Sequence, residues 1–278
     1  RTRPFIKRYY PNDTIEVDGE RVPVVFPTPR VRHVRYEFAE ALPGFFDDLA
    51  DALDGYEYEW GEPAPEGVLS MARYMPSMYH LDQQGIEAHQ VQNAGLLRSM
   101  LLKRFESSTS AFAATCRKMA ASHAGLVDLI RVEGKVATGS ILADWLTADD
   151  DEEIDVWLEA YGDELENAAD YDAERMCDDL EQDEALLLEL AERAEALPPE
   201  EDPKLVQLVE ELADIVTQAE LEGVGEKQQR DNHKVLLFSY FADTVDWIVH
   251  HLDRVCDPTS PIHDPRLAAY HGRIAAVT

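Results

Sequence analysis

One helical pattern dominates the first half of the sequence. Between residue 91 and about residue 122, six apolar side chains recur at spacings of four, four, seven, four and three: Leu97, Leu101, Phe105, Phe112, Cys116 and Met119. These spacings keep them on one stripe of a helix with 3.6 residues per turn. The pattern predicts one long helix with a buried face, followed by a second helix at residues 126–132.

Charge is distributed unevenly along the sequence. The formal net charge is −31, but residues 147–222 hold 29 acidic side chains against Arg175, Arg193 and Lys204, a local net charge of −26. Apolar residues recur inside this acidic block, which predicts amphipathic helices with an anionic outer face rather than disorder. Basic residues cluster near the N-terminus, around residues 30–35 and on the predicted long helix. We therefore expect a basic face that could bind phosphate, separate from an acidic module.

The last third of the sequence changes from helical spacing to a strand pattern. Asp202 and Pro203 form a typical helix start, as N-cap and first helical residue, and Gly223 ends that helix. Residues 234–241, KVLLFSYF, contain an apolar run typical of a strand buried on both faces. An amphipathic helix follows, and LAAYHG at residues 267–272 is a second short strand. Strand, helix and strand form a βαβ unit, which cannot cover its own sheet, so we expect further strands beyond the sequence.

The first third of the sequence gives simpler signals. Prolines and β-branched residues predict extended structure over residues 1–38, with two short strands joined by a turn at Asp18 and Gly19. Residues 45–53 have the spacing of a short amphipathic helix. Residues 56–85 are interpreted as a packed irregular connection.

Cysteine, histidine and hydropathy patterns exclude several classes of protein. Cys116, Cys177 and Cys256 are odd in number and lack C-x-x-C spacing, which argues against a disulfide framework or a zinc site and favours the reducing cytoplasm. His250 and His251 are adjacent on a helix and cannot converge on one metal ion. Apolar runs are too short for a membrane span.

The sequence opens in a basic run without a leading methionine, which we interpret as a cut within a longer protein.

Three passages resemble the Swi/Snf-type branch of the superfamily II helicases. The opening RTRPFIKRYYP is similar to the arginine-rich segment that closes the first RecA-like lobe. The helix LLRSMLLKRFESSTSAF, residues 96–112, resembles a recurring helix of the bacterial branch. DPKL at residues 202–205, the helix after it and KVLLFSYFADTVDWI resemble the entry to the second lobe and its motif IV strand, with AYHGRI at residues 269–274 in the place of the next strand. Much of residues 147–197 lies outside the resemblance and looks like an acidic insertion.

The resemblance implies a fold class and an order of domains. The expected fold is mostly α with a minor α/β part, consisting of a helical subdomain plus the first βαβ unit of an incomplete RecA-like helicase C-terminal lobe. The predicted domains are an extended connection between the lobes at residues 1–38, a helical subdomain at 39–146, an acidic helical insertion at 147–201 and the start of lobe two at 202–278.

The chemistry of ATP hydrolysis is expected elsewhere in a parent protein. The sequence contains no G-x-x-x-x-G-K-[ST] phosphate loop, no D-E-x-H-type box and no arginine-bearing motif of lobe two. ATP and Mg²⁺ are therefore implied for the parent, while this stretch is expected to hold no catalytic residue and no cofactor. Lobe one and the rest of lobe two would be its partners within the same protein.

The resemblance nominates nucleic-acid contacts around motif IV: Ser239, Tyr240, His271 and Arg273. A hydroxyl and backbone N–H groups beside a helix N-terminus suit a phosphate, whereas the competing interpretation is that Ser239 only caps the helix. Arg1 and Arg3 either contact a nucleic-acid backbone or are solvated charges. Lys103 and Arg104 either bind phosphate from the helix surface or pair with nearby acidic side chains.

The sequence supports two functions of different classes. In the first, the chain is part of an ATP-dependent translocase on nucleic acid, expected to be double-stranded DNA in a bacterial cytoplasm. It would supply the backbone contacts of lobe two without hydrolysing ATP by itself. In the second, it is an interaction protein whose acidic helices, within residues 147–222, mimic nucleic acid or bind a basic protein partner. Neither function involves a membrane.

Overall fold

The computed structural model describes residues 8, 14–17, 20–23, 31–38, 40–53, 65–82, 87–138 and 165–277. Most of these residues are helical, and the longer helices are α1 Phe45–Leu53, α2 Ala88–Ser107, α3 Thr109–Asp128, α4 Ala173–Glu195, α5 Pro203–Glu222, α6 Glu226–Asn232 and α7 Ala242–Cys256. Four short strands form two antiparallel pairs. β1 Thr14–Val17 pairs with β2 Glu20–Pro23, and β3 Lys135–Ala137 pairs with β4 Leu165–Asn167. The chain divides into two compact units, Arg1–Arg35 and Tyr36–Thr278. The expectation of a mostly helical fold with a minor β part is confirmed.

The N-terminal unit contains the predicted hairpin. Thr14 lies opposite Pro23 and Val17 lies opposite Glu20 in the antiparallel register. The predicted pairing of two short strands is thus confirmed, whereas the Asp18-Gly19 turn predicted between them lies outside the described residues. Residues 31–38 carry neither helix nor strand.

The predicted long helix is two helices, because the chain breaks at Ser108. The backbone of Ser108 is extended, with φ −161° and ψ 154°, and its hydroxyl accepts a hydrogen bond from the N–H of Ala111 at 3.0 Å. Ser108 is therefore the N-cap of α3, a role that serine fills well. The prediction of one continuous helix was wrong because serine and threonine compete with helical hydrogen bonding and favour caps. The six residues of the apolar stripe are nevertheless all buried.

The larger of two hydrophobic cores lies among α1, α2, α3 and α4. The rings of Phe45, Phe105 and Phe112 contact one another there, with centroid distances between 5.1 and 5.9 Å. Although α4 belongs to the acidic block, its apolar face, including Leu187, is buried in this core. The amphipathic helix predicted for the block is confirmed at α4, while residues 147–164 of the block lie outside the described residues.

Two carboxylates on the buried face of α4 hold the irregular segment of residues 69–82 in place. Asp183 is fully buried, and it accepts hydrogen bonds from the backbone N–H and the hydroxyl of Ser70, at 2.7 and 2.8 Å. Asp179, one turn earlier, accepts a hydrogen bond from the Tyr79 hydroxyl at 2.7 Å. Because a buried carboxylate is costly unless it is hydrogen-bonded, these bonds specify where the segment docks on α4.

The same network surrounds one strained residue. Met71 is buried and has a φ of 58°, in the left-handed region that residues with a side chain rarely adopt. On α3, His123 is also buried; its Nδ1 donates to the carbonyl of Met119 at 2.6 Å, and its Nε2 lies 3.5 Å from an oxygen of Asp183. The residues on either side of Met71 are fixed, because Ser70 is bonded to Asp183 and the N–H of Ala72 donates to the Ser70 hydroxyl at 3.0 Å.

A second, smaller core is formed by α5, α7 and the 3-10 helix Pro265–Tyr270. Its buried residues are Leu212, Ala213, Leu252, Val255, Cys256 and Leu267. The predicted start of α5 is confirmed, because Asp202 accepts a hydrogen bond from the N–H of Lys204 at 2.8 Å and Pro203 is the first helical residue. Gly223 follows the last turn, also as predicted.

The predicted buried strand at residues 234–241 is not formed in the described part of the chain. Residues 234–239 have neither helix nor strand, and the side chains of Leu236, Phe238 and Tyr240 are 83%, 91% and 93% exposed. The prediction was wrong for this structure because a strand requires a neighbouring strand, and none of the four described strands pairs with this segment. The amphipathic helix predicted after it is α7 and is confirmed.

The second strand of the predicted βαβ unit is a helix instead. Residues 265–270 form a 3-10 helix, and Asp264 is its N-cap, accepting a hydrogen bond from the N–H of Arg266 at 2.9 Å. Pro265 is the first helical residue, so the start has the same Asp-Pro pattern as α5. The strand prediction was wrong because the Asp264 cap and Pro265 start a helix locally, and no described strand pairs with this segment.

The buried carboxylate of Asp183 should be essential to the larger core. In Asp183→Asn, an amide NH₂ group would face one of the two donors of Ser70, and we expect the free energy of unfolding to fall by about 3 kcal/mol. Urea unfolding followed by circular dichroism measures this loss. Asp178→Asn is the matched control, because Asp178 is exposed on the same helix. Equal unfolding midpoints for the two variants would contradict the structural role of Asp183.

Asp179 should make stability depend on pH. Burial raises the pKa of its carboxyl above the ordinary value, although the Tyr79 hydrogen bond and Arg175 lower it. The folded state therefore binds this proton more tightly than the unfolded chain, and ionisation opposes folding as the pH rises through the raised pKa. Asp179→Asn cannot ionise, so we expect its unfolding free energy relative to wild type to increase as the pH rises from about 4 through the raised pKa. Urea unfolding across this range would refute the claim if the difference stayed constant.

Candidate nucleic-acid interface

Ser239 and Tyr240 lie directly before α7. The Ser239 hydroxyl accepts a hydrogen bond from the N–H of Phe241 at 3.3 Å, and Phe241, rather than Ser239, occupies the N-cap position of α7. The Tyr240 ring is almost fully exposed and meets the Phe241 ring edge-on, with centroids 5.0 Å apart. A hydroxyl and a solvent-facing aromatic ring are thus presented side by side.

His271 and Arg273 are exposed on a neighbouring segment. The hydroxyl of Tyr270 donates a hydrogen bond to the carbonyl of His233 at 3.1 Å, and the two rings are 6.4 Å apart. This contact brings residues 270–273 beside the start of the segment that ends at Ser239. The structure therefore places both nominated segments on the second core.

Arg104 is already engaged by α7. Its Nη1 lies 2.8 Å from an oxygen of Asp243, and its guanidinium carbon lies 4.1 Å from the centroid of the Phe241 ring. Of the two interpretations open for Arg104, pairing with an acidic side chain is the one observed. Lys103 is exposed beside it on α2. Arg1 and Arg3, the other nominated cations, lie outside the described residues.

A polar junction joins the two cores at the break between α2 and α3. The Thr244 hydroxyl lies 2.7 Å from the hydroxyl of Ser107 and 2.9 Å from that of Ser108. Lys204, on α5, donates from its ammonium to the carbonyl of Ser107 at 3.1 Å, and burial lowers the pKa of that ammonium. We define these four residues as the polar junction. None of the four was predicted as a site residue from the sequence, although two adjacent serines, Ser107 and Ser108, within a helical pattern favour a helix break there.

Basic and acidic side chains are not separated in space along α3 and α4. Arg117 binds both carboxylate oxygens of Glu195, at 2.7 and 2.5 Å, and Arg131 binds Glu181 at 2.5 Å. The hydrogen bond in each pair raises the pKa of the arginine and lowers that of the glutamate. The expectation of a basic face separate from the acidic module is therefore wrong for Arg117, and Arg131 is likewise paired with an acidic side chain of α4. Lys118 is exposed on α3.

Two further site types were sought among the residues that the structure describes. No three His, Cys, Asp or Glu side chains come together there in a way that could hold a metal ion. Nor does any helix in the described ranges combine the length and apolar character needed to cross a membrane. His251 is buried, and burial lowers its pKa.

Comparison with known proteins gives no relative. No family model, no curated protein and no solved structure matches the chain. The geometry of the described residues is therefore the main guide to function.

The hydroxyl of Thr244 should contribute to the stability of the polar junction. Thr244→Val keeps the shape of the side chain but removes the hydrogen bonds to the two serines, and we expect a loss of about 1–2 kcal/mol in unfolding free energy. Thr217→Val on α5 is the control, because that hydroxyl bonds only to a carbonyl one turn away, that of Ala213. Urea unfolding of both variants tests this, and an equal loss would show that the junction bonds add nothing specific.

Proposed function

We propose that the chain is part of an ATP-dependent translocase of the Swi/Snf-type superfamily II class that moves on nucleic acid. Within it, residues from about 202 onward would belong to the second RecA-like lobe and would contact the nucleic-acid backbone. Double-stranded DNA is the track we favour. The isolated chain would not hydrolyse ATP, because the groups that bind ATP and Mg²⁺ belong to other parts of the parent protein.

The observation that carries this proposal is the exposed apolar segment before α7. Residues 235–240 have the composition of a buried strand, yet Leu236, Phe238 and Tyr240 face solvent. Within the described residues, none of the backbone N–H groups of residues 235–239 donates to another backbone group. An apolar segment with free backbone groups is suited to pairing with strands from another part of a larger sheet. Such a sheet is what a RecA-like lobe would supply.

The nominated contacts fit a grip on a phosphate backbone. Ser239 offers a hydroxyl, Tyr240 offers an exposed ring and hydroxyl, and Arg273 offers an exposed cation. Such groups position a protein on nucleic acid without reading its sequence. In a two-lobed motor, ATP held between the lobes is hydrolysed while each lobe grips the backbone in turn. This chain would supply the second of these grips.

A second candidate function is an acidic interaction module. It is favoured by the exposed acidic side chains on the outer face of α4, among them Glu174, Asp178 and Glu192. Such a face could imitate nucleic acid or bind a basic protein. A chain that binds a lysine-rich peptide but not duplex DNA, with peptide binding weakened by Asp178→Asn and Glu192→Gln together, would support this alternative over the translocase.

The parent gene provides the first test of the translocase proposal. We expect it to encode, upstream of Arg1, a phosphate loop with its lysine, and we expect the full-length product to hydrolyse ATP faster when duplex DNA is added. Replacing that lysine should abolish the activity, since it contacts the β- and γ-phosphates. An open reading frame that begins near Arg1 would contradict the proposal.

Direct DNA binding provides the second test. We expect Arg273→Gln to weaken binding of a fluorescent duplex, measured by anisotropy, and to reduce the slope of log K against log salt by about 0.9 for one lost phosphate contact. Ser239→Ala and Tyr240→Ala should also weaken binding, with a smaller effect on the slope because neither removes a charge. Lys118→Gln is the control for loss of one positive charge at an exposed site. If Arg273→Gln and Lys118→Gln behave alike, the nominated interface is wrong.

A further inference from the structure

The guanidinium of Arg104 is enclosed by the first residues of α7. Its Nη1 lies 2.8 Å from an oxygen of Asp243, and its carbon lies 4.1 Å from the Phe241 ring centroid. The Arg104 side chain is 22% exposed and that of Asp243 is 45% exposed. A cation on the surface of α2 is thus covered by a carboxylate and an aromatic ring that follow the nominated residues Ser239 and Tyr240.

The position of Asp243 resembles that of a bound phosphate. Asp243 lies in the first turn of α7, where the helix dipole favours negative charge, and it makes a charge-assisted hydrogen bond to a guanidinium. A backbone phosphate beside Tyr240 would use the same Arg104 donor. Because Asp243 and the Phe241 ring cover a guanidinium that is only 22% exposed, the carboxylate and a phosphate would compete for access to it.

The polar junction lies directly beside the Arg104–Asp243 contact and stabilises it. Thr244 directly follows Asp243, and its hydroxyl is hydrogen-bonded to Ser107 and Ser108 at the end of α2. The first turn of α7 is therefore attached to α2 at two consecutive residues. These attachments are polar, so they can open at a smaller cost in buried apolar area than a hydrophobic contact of the same size.

We propose that the Arg104–Asp243 contact is autoinhibitory. In the absence of nucleic acid the Asp243 carboxylate occupies Arg104, and a phosphodiester of the duplex replaces it when the first turn of α7 moves away from α2. The exchange replaces one anion by another, so Arg104 stays paired in both states. This inference rests on the proposed function, because it assumes a nucleic-acid partner.

Removing the competing carboxylate tests the inference. We expect Asp243→Asn to raise affinity for a fluorescent duplex about 3- to 10-fold at low salt and to steepen the salt slope by about 0.9, since Arg104 becomes free for one phosphate. Asp246→Asn, which removes the same charge from an exposed site on α7, should give less than half of that gain. Asp243→Glu keeps an anion and should keep the affinity low. In the double variant Arg104→Gln and Asp243→Asn, the gain in duplex affinity should disappear.

A measurement without DNA separates the two proposals. Modification of Arg104 by phenylglyoxal, followed by mass spectrometry, should increase in Asp243→Asn and not in Asp246→Asn. The autoinhibitory contact is refuted if Arg104 stays unreactive toward phenylglyoxal in both Asp243→Asn and Asp246→Asn. It is also refuted if Arg104 becomes reactive in Asp243→Asn without any gain in duplex affinity. If the wild type binds duplex DNA and Asp243→Asn binds no better, the inference fails alone. If neither the wild type nor any variant binds duplex DNA, the proposed function fails and the inference fails with it.

Discussion

The buried carboxylate of Asp183 is the constraint on which the larger core depends. A charge that is removed from water must be hydrogen-bonded, and both donors of Ser70 meet this requirement from a segment 113 residues away in sequence. The docking of residues 69–82, the strained backbone of Met71 and the contact with His123 all follow from this position. The helix that carries Asp183 is therefore part of the core, although it belongs to the most acidic region of the chain.

The outer face of the same helix changes the electrostatics of the molecule. Glutamates on α4 pair with Arg117 and Arg131, so cations that look available in the sequence are already neutralised. Exposed pairs of this kind add little stability, but they remove arginines from a possible phosphate-binding surface. The exposed cation of Arg273 and the exposed aromatic ring of Tyr240 belong to segments that pack at the second core instead. The proposed nucleic-acid interface therefore uses these groups and not Arg117 or Arg131.

Apolar and polar contacts have different roles around the second core. The segment that precedes α7 is apolar but exposed, whereas the contact of α7 with α2 and α3 includes hydroxyl pairs and an ion pair. Hydroxyl pairs and ion pairs exchange readily with water or with another anion, while apolar burial does not. Under the proposed function, this surface would gain a sheet partner at its apolar segment and a phosphate partner at its polar contact.

Local chemistry explains which features were predictable from the sequence. The pairing of β1 with β2, the Asp202 cap and the apolar stripe from Leu97 to Met119 depend on neighbours close in sequence, and the structure has all three. The break at Ser108 and the helix after Asp264 also had local signals, in a serine run and an Asp-Pro start, which were overlooked. Whether residues 234–241 are buried or exposed could not be predicted from the sequence, because an apolar run is buried only where another part of the protein covers it. Arg104 and Asp243 are 139 residues apart, so their pairing depends on how the two cores pack together.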